Sequence, residues 1–560
     1  MDNKNKFALI FLVLATIAVC SPRTVNAQSD SFSYRITPKP QIDRTELEIS
    51  LVFQNIGANS LTVELPSDCF GTPDLYKYVT KFEGVAGTEV HSGKQADQRI
   101  VKPNADGSVS LRYTLSFDPK AMETSPYSPN TGPDHFHLAG CQYLLPIGDK
   151  DKKVKYQIEI NSIPTGWKIY STSSVNAAKY TVESSYESLS SSALGGGRNS
   201  RVFYTKKGRV AVFVHGDFET PTATIHSSIE HIIRAERKWF ADYDQPNYTI
   251  VVAPRRNVTS GYAPDNGFIC FVDRKTKNED LSLLVAHEFF HNWLPNKIEI
   301  VQKEKYSDLR FEWFSEGFTD YFARRILHEA KLMTEVSYLA AVNRNIYNIA
   351  DNPHRAKTYD ELVEMGKVGK FDGVAKKLAY FRGALIALNW NAQIQRQSKK
   401  LDLADFIRKL YNVASKTNGK ISEQSFLDLA RSFGVDAEGD LERFIMRGES
   451  ITPDADALGS AYELSRIERP SFDIGFSLED TQRSRRISAV RQDGPAFAAG
   501  LRDGMEFIGV ENAYRFSNAW KDDRPLVVRV KVENGERTFQ FYPHGSPMSL
   551  PLFSRLTKNQ

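Results

Sequence analysis

The run His287-Glu288-Phe289-Phe290-His291 constrains this chain more than any other stretch. Four residues of α-helix rise about 6 Å and turn a little more than once, so histidines at that spacing share one face. Two imidazoles on one face can reach a single metal ion at about 2.0–2.1 Å. The pattern works only on a helix, and its surroundings supply one. Asn278 is expected as the N-cap, and Glu279 and Asp280 suit the positive helix end. Leu281, Leu284, Val285 and Phe289 recur at helical spacing, and Pro295 closes the segment. Glu288 then lies beside the metal, placed to take a proton from a water held there.

A second segment, Trp313-Phe314-Ser315-Glu316-Gly317-Phe318-Thr319-Asp320-Tyr321-Phe322, begins another helix. It sets Glu316 among aromatic residues, where a lone carboxylate is costly unless it binds a cation. A catalytic zinc keeps three protein ligands and one open position, and His287, His291 and Glu316 make a His₂Glu set. Asp320, one turn on, can accept a hydrogen bond from the second nitrogen of a ligand histidine and fix its tautomer.

Together these two stretches resemble the glycyl aminopeptidases, a branch of the gluzincin metallopeptidases. The resemblance implies a multidomain α+β chain with an N-terminal β-sandwich-like domain, a thermolysin-like catalytic domain and a C-terminal PDZ-like domain. It also implies one zinc ion per chain and peptide substrates. The 24 residues between His291 and Glu316 match the long gap of that family. Tyr380-Phe381-Arg382-Gly383 resembles the Tyr-x-Lys-Gly segment of related aminopeptidases, which implies that Tyr380 hydrogen-bonds the oxyanion. One departure stands out. Where the family carries a Gly-Gly-x-Glu-His strand whose Glu holds the substrate amine, this chain reads Asn266-Gly267-Phe268-Ile269-Cys270. Ile269 takes the place of the anchoring Glu, and Asp265 is the acid close by.

The remaining sequence divides around this centre. Residues 1–27 read as a signal peptide: Lys4 and Lys6, then an apolar run from Phe7 to Val19, then Val25-Asn26-Ala27 for cleavage. The mature enzyme is therefore expected to be exported, either periplasmic or secreted, with no transmembrane segment. Cys69, Cys141 and Cys270 remain, and Cys69 with Cys141 is the likelier pair because both fall in the N-terminal domain. Residues 28–180 alternate as strands, as in Leu47 to Phe53 and Val154 to Ile160. Within them His135-x-His137 would share one strand face, as a metal-binding or a merely hydrogen-bonded pair.

The Ser- and Gly-rich stretch 184–200, with Gly195-Gly196-Gly197, reads as a flexible loop or junction. Residues 181–455 form the catalytic domain: a strand at 210–214, a helix at 225–243, a strand at 248–253, the metal helix, and then helices to about 447. Residues 456–545 look PDZ-like, with Gly475 and Phe476 at the carboxylate-binding loop and Gly494-Pro495-Ala496 to Gly500-Leu501-Arg502-Asp503-Gly504 as the more specific stretch. Residues 546–560 are left as a tail. A net charge of +4 over 560 residues gives no argument for a nucleic-acid or membrane partner. The chain reads as a zinc aminopeptidase. The alternatives are a zinc endopeptidase without an amine anchor, or a PDZ-type peptide-binding protein with a non-catalytic metal site.

Overall fold

The computed structural model describes residues 31–556 apart from 55–58, 124, 126, 244, 246, 257, 302–306, 369–371, 512–524 and 534. The expected leader, 1–27, lies outside the described residues. Among the described residues no helix is long and apolar enough to cross a membrane. The chain separates into two compact units. One runs to Val202 and adds Val210–Asp217 and Asn247–Arg274; the other holds Phe203–Arg209, Phe218–Pro246 and Lys275–Gln560.

The first unit is built on strands whose side chains alternate in and out. In Thr45–Gln54, Leu47, Ile49, Leu51 and Phe53 are buried while Glu48, Val52 and Gln54 are exposed. That strand lies in a six-stranded sheet ordered Lys179–Ser184, Val154–Ile160, Ser31–Pro40, Thr45–Gln54, Ser108–Leu115, Val79–Gly84. Period-two burial is the expected signature of a sheet with one wet face. Cys69 and Cys141 are joined as a disulfide with their Cα atoms 5.8 Å apart, and Cys270 is a buried free thiol.

A second sheet orders Lys168–Ser171, Ala193–Gly197, His135–Ala139 and Asn130–Gly132. The triple glycine is thus no flexible loop. It is a buried strand, and the reason is space. A Cβ on Gly195 would stand 2.2 Å from the Tyr170 hydroxyl, and one on Gly197 would stand 2.9 Å from His135 Cβ. In a third sheet, Asn247–Pro254 and Gly267–Val272 run parallel and are buried at every residue, as befits strands covered on both faces. These strands group with the N-terminal strands in the first unit.

The second unit is mainly helical. Its helices include Thr222–Phe240, Asn278–Phe290, Thr319–Glu329, Glu335–Asp351 and Gly373–Gln397. At its C-terminal end a three-stranded sheet, Glu506–Glu511, Leu526–Val532 and Gly535–Phe541, closes over a core with Phe476, Ile487, Leu501 and Phe539. The expected tail is structured. His544–Arg555 pairs along nearly its whole length with Tyr462–Phe472. This ribbon is fastened to one face of Glu335–Asp351. Asn343 exchanges two 2.8 Å bonds with the Phe553 backbone, Tyr347 donates to Pro470 O, and Asp351 accepts from the Phe472 amide.

Candidate metal centre

The metal helix runs Asn278–Phe290, with His291 closing it as the C-cap. The N-cap is Lys277 rather than Asn278, which is already the first helical residue and donates its amide to Ser228 Oγ at 2.9 Å. His287 and His291 emerge on one face as their spacing requires. Their Nε2 atoms are 3.2 Å apart. Each ring is oriented from behind. His287 Nδ1 donates to Asp320 Oδ1 at 2.9 Å, and His291 Nδ1 donates to the Leu294 carbonyl at 2.7 Å. Asp320 in turn accepts from Arg324 at 2.8 Å.

Glu316 comes from a helix that departs from α geometry. Ser307–Glu312 passes into a π-helical turn, Trp313–Phe318, before α-helix resumes at Thr319. Such wide turns are rare and gather at functional sites. Here two glycines accompany the wide turn. A Cβ on Gly317 would sit 2.4 Å from Gly383 Cα, and one on Gly383 would sit 1.8 Å from the Trp313 carbonyl oxygen. The π turn and the helix Gly373–Gln397 therefore touch backbone to backbone. Trp313 and Phe318 pack on Trp390, and Phe314 on Phe426. Glu316 Oε2 lies 3.2 Å from His287 Nε2 and 3.7 Å from His291 Nε2. Gly317 and Gly383 both stood in the quoted motifs, but their mutual contact is invisible to a linear reading.

The same contact places Tyr380, one turn before Gly383. Its ring stacks on the His287 imidazole with centroids 5.9 Å apart and an interplanar angle of 11°. Its hydroxyl lies close enough to Glu316 for the two groups to act on each other electrostatically. Burial, then the Glu316 charge, raises the Tyr380 phenol well above its ordinary value, so it keeps its proton and acts as a donor.

Burial pulls His287 toward neutrality, but hydrogen bonds to Asp320 and Glu316 outweigh it and push the ring up to about 9. The two carboxylates move the other way: Asp320, although buried, is held well below its usual range by Arg324 and His287, and Glu316 is lowered chiefly by His287.

These residues fit a divalent cation. With both Nδ1 atoms committed to acceptors, the two Nε2 atoms turn toward each other and a carboxylate, and each offers a lone pair once its proton is displaced. One ligand atom from each of His287, His291 and Glu316 lies within 4.8 Å of the others, and no other such group occurs among the described residues. Only a positive charge relieves that convergence. Two imidazoles and one carboxylate with an open fourth position is the donor set of a catalytic zinc. Glu288, half-buried in the same turn, is not part of this ligand group.

The other expected site residues are described within their own units. Ile269 and Asp265 belong to the first unit. Ile269 is 0% exposed, closed in a core with Phe213, Val251 and Phe271, so it offers no surface to a substrate amine. Asp265 is exposed at the turn before that strand. His135 and His137 are also in the first unit, buried and hydrogen-bonded. His137 Nδ1 meets the Tyr170 hydroxyl at 2.8 Å, the same hydroxyl meets His215 Nε2 at 3.2 Å, and Tyr262 meets His137 Nε2 at 3.2 Å. Nothing in the sequence linked His215 to this pair.

Gly475 adopts φ +76°, and Phe476 is buried in the C-terminal core. The loop amides are engaged internally. Gly475 N donates to Asp473 at 2.8 Å and Ser477 N to the Ser488 carbonyl at 2.9 Å. A helix, Leu478–Ser484, follows the loop.

Residues 280–368 match the family profile of the M61 glycyl aminopeptidases. This stretch holds His287, His291, Glu316 and Asp320 and stops short of Tyr380. No curated protein matches the chain. Among solved structures, an aminopeptidase N family protein from Idiomarina loihiensis is similar over 94% of this chain and 98% of its own, with a TM-score of 0.64 and 17% identity. That likeness concerns the fold: a β-rich N-terminal part followed by a helical part. An M1 zinc metallopeptidase from Deinococcus radiodurans (TM-score 0.36, 13% identity, 77% and 96% covered) and yeast LTA4 hydrolase (TM-score 0.37, 12%, 78% and 72%) are more distant. The chain is a metallopeptidase.

Proposed function

We propose that this metallopeptidase is an exported aminopeptidase that removes N-terminal residues from peptides. The observation that carries the reading is the convergence of His287, His291 and Glu316, with Glu288 in the same turn and the Tyr380 ring stacked on His287. A zinc ion held by the three ligands supplies Lewis-acid polarisation of the scissile carbonyl and of the attacking water. Glu288 takes the proton of that water and returns it to the leaving amine. Tyr380, kept protonated, donates to the oxyanion that develops at the carbonyl. Asp320 and the Leu294 carbonyl hold the two imidazoles in the tautomers that leave Nε2 open. Export is supported by the leader-like residues 1–27 and by the Cys69–Cys141 disulfide, a bond that persists in oxidising compartments.

The substrate amine needs a carboxylate, and buried Ile269 cannot provide one. Asp265, exposed nearby in sequence, is the candidate anchor. One peptide offered with a free and with an acetylated N-terminus tests this. Strong preference for the free amine, lost in Asp265→Ala, supports the anchor. Equal rates turn the enzyme into an endopeptidase. Glu288→Gln should keep zinc yet lose about 10²–10⁴-fold in rate, and near-normal turnover by the metal-loaded variant overturns the base assignment.

For residues 456–545 we propose a PDZ-like module in its closed form. Its loop amides at Gly475 and Ser477 are already satisfied, and helix Leu478–Ser484 stands where a peptide-accepting strand would follow. Capture of a peptide C-terminus there requires those bonds to open. Tight binding of carboxylate-terminated peptides to the full chain at a site other than the metal centre would show that they do.

A further inference from the structure

Lys377 lies one turn before Tyr380 on the helix Gly373–Gln397. Its Nζ stands 3.7 Å from the centroid of the Tyr380 ring. That ring stacks in turn on His287, a residue of the metal site. An ammonium is therefore laid over the phenol expected to donate to the oxyanion. Lys377 is exposed, and among the described residues it has no carboxylate partner within ion-pair distance. The nearby acids have closer partners, Asp320 in Arg324 and His287 and Glu316 in His287, although the Lys377 charge still reaches Asp320.

The ring alone is a weak reason for the lysine to be there. An exposed cation–π contact is worth about 0.5–1 kcal/mol, while fixing a lysine side chain costs about 1.5–2 kcal/mol of rotamer freedom. An exposed ammonium without an ion-pair partner, set beside the Tyr380 ring, suits a ligand that brings its own negative charge. A residue spans at most about 3.6 Å, so a carboxylate on the residue after the cut bond comes within reach of a four-carbon stem.

We infer that Lys377 reads a substrate carboxylate next to the scissile bond, so that the enzyme favours peptides carrying one. That carboxylate has two sources: the free C-terminus of a very short peptide, or the side chain of an acidic residue after the cut. The inference rests on the aminopeptidase reading of this centre.

The full-length, zinc-loaded chain is given two matched pairs: Ala-Ala against its C-terminal amide, and Ala-Asp-amide against Ala-Asn-amide. The expected result is about a tenfold higher kcat/KM for the carboxylate member of at least one pair, and which pair identifies the source. In Lys377→Met that ratio falls to about one, and in Lys377→Glu it inverts. Calorimetry of the same peptides on Glu288→Gln, which binds without turnover, should show the same ratios in Kd and the same collapse when Lys377→Met is added. Unchanged ratios in Lys377→Met, or an equal loss on all four peptides, overturn the inference, the latter because it makes Lys377 a partner of Tyr380 alone. Failure of the wild type to cut any of the four removes the peptidase reading and Lys377 with it. Cleavage without carboxylate preference removes only Lys377.

Discussion

Each compact unit contains a buried histidine cluster, and the two clusters do opposite things with the same side chain. In the second unit His287 and His291 face a carboxylate, and every remaining ring nitrogen is steered by an acceptor. In the first unit His137 and His215 face phenols. Tyr170 bridges them, Tyr262 takes the far nitrogen of His137, and His135 stacks on His215 with centroids 4.7 Å apart. Burial dominates there and drives His137 down to about 3 and His215 well below its usual value, whereas carboxylates win at His287 and drive it up to about 9. At His287 two carboxylates favour a positive charge, whether a proton or a metal ion; His135 in the first cluster meets Asp134 Oδ1 at 2.7 Å yet belongs to no ligand group among the described residues. Histidines whose neighbours are hydroxyls are complete as neutral rings. The first arrangement is a site, and the second is a piece of core.

The largest effect that sharpens this contrast comes from a residue with no side chain. Gly383→Ala drives a methyl into the Trp313 carbonyl and must push the long helix off the π turn. Tyr380 then leaves Glu316. kcat should fall about 10²–10³-fold, as for Tyr380→Phe, with zinc content retained. The double variant Gly383→Ala/Tyr380→Phe should be little worse than either alone, because both remove the same hydroxyl. Additive losses would show that the glycine contact does something other than place Tyr380.

A smaller effect tests the carboxylate side directly. Asp320→Asn weakens the support of His287 and should lower zinc affinity about 10–100-fold when measured above pH 9. The same change removes the main group that raises the His287 pKa. In the wild type a proton competes for His287 below about pH 9, so affinity falls about tenfold per pH unit there. The variant suffers less competition. Its deficit should therefore shrink toward neutral pH in a chelator titration, and a deficit constant from pH 6 to 9 contradicts the coupling. The metal-free chain carries the matching stability signature. The His287 contribution is complete below about pH 6.5, the unfolded value, and is lost as pH rises through about 9.

Most of the metal centre was legible in the sequence because its ligands come in short runs where spacing alone dictates geometry. His287, His291, Glu316 and Asp320 needed only helical periodicity and the cost of a buried carboxylate. Tyr380 needed a resemblance, since nothing local marks a donor. What stayed hidden was set by residues distant in sequence. Gly195 to Gly197 read as a loop because glycine is a loop residue, yet their partners are rings from Tyr170, His135 and His215. The wide turn at Glu316 goes with Gly383. The strand His544–Arg555 follows from pairing with residues some 80 positions earlier. The two interleaved units follow from five crossings of the chain that composition does not record.

The smallest effect belongs to the first cluster, and it is the one that can break the comparison. Tyr170→Phe deletes the hydroxyl shared by His137 Nδ1 and His215 Nε2, both on rings 1% exposed. Leaving buried ring nitrogens without partners costs about 1–3 kcal/mol, so thermal or denaturant unfolding should shift by that amount. Zinc content should remain at one per chain, because these rings form no ligand group. The pH dependence has the opposite sign to that of His287. A histidine held near 3 in the folded chain and near 6.5 when unfolded adds stability above about pH 6.5 that drains away as the solution is acidified toward 3. His137→Phe removes that titrating ring, and its stability curve should be flatter over this window than that of the wild type. A second zinc lost on Tyr170→Phe, or an acid limb identical in His137→Phe and wild type, would mean that the phenol-bound histidines are not the neutral core they are argued to be.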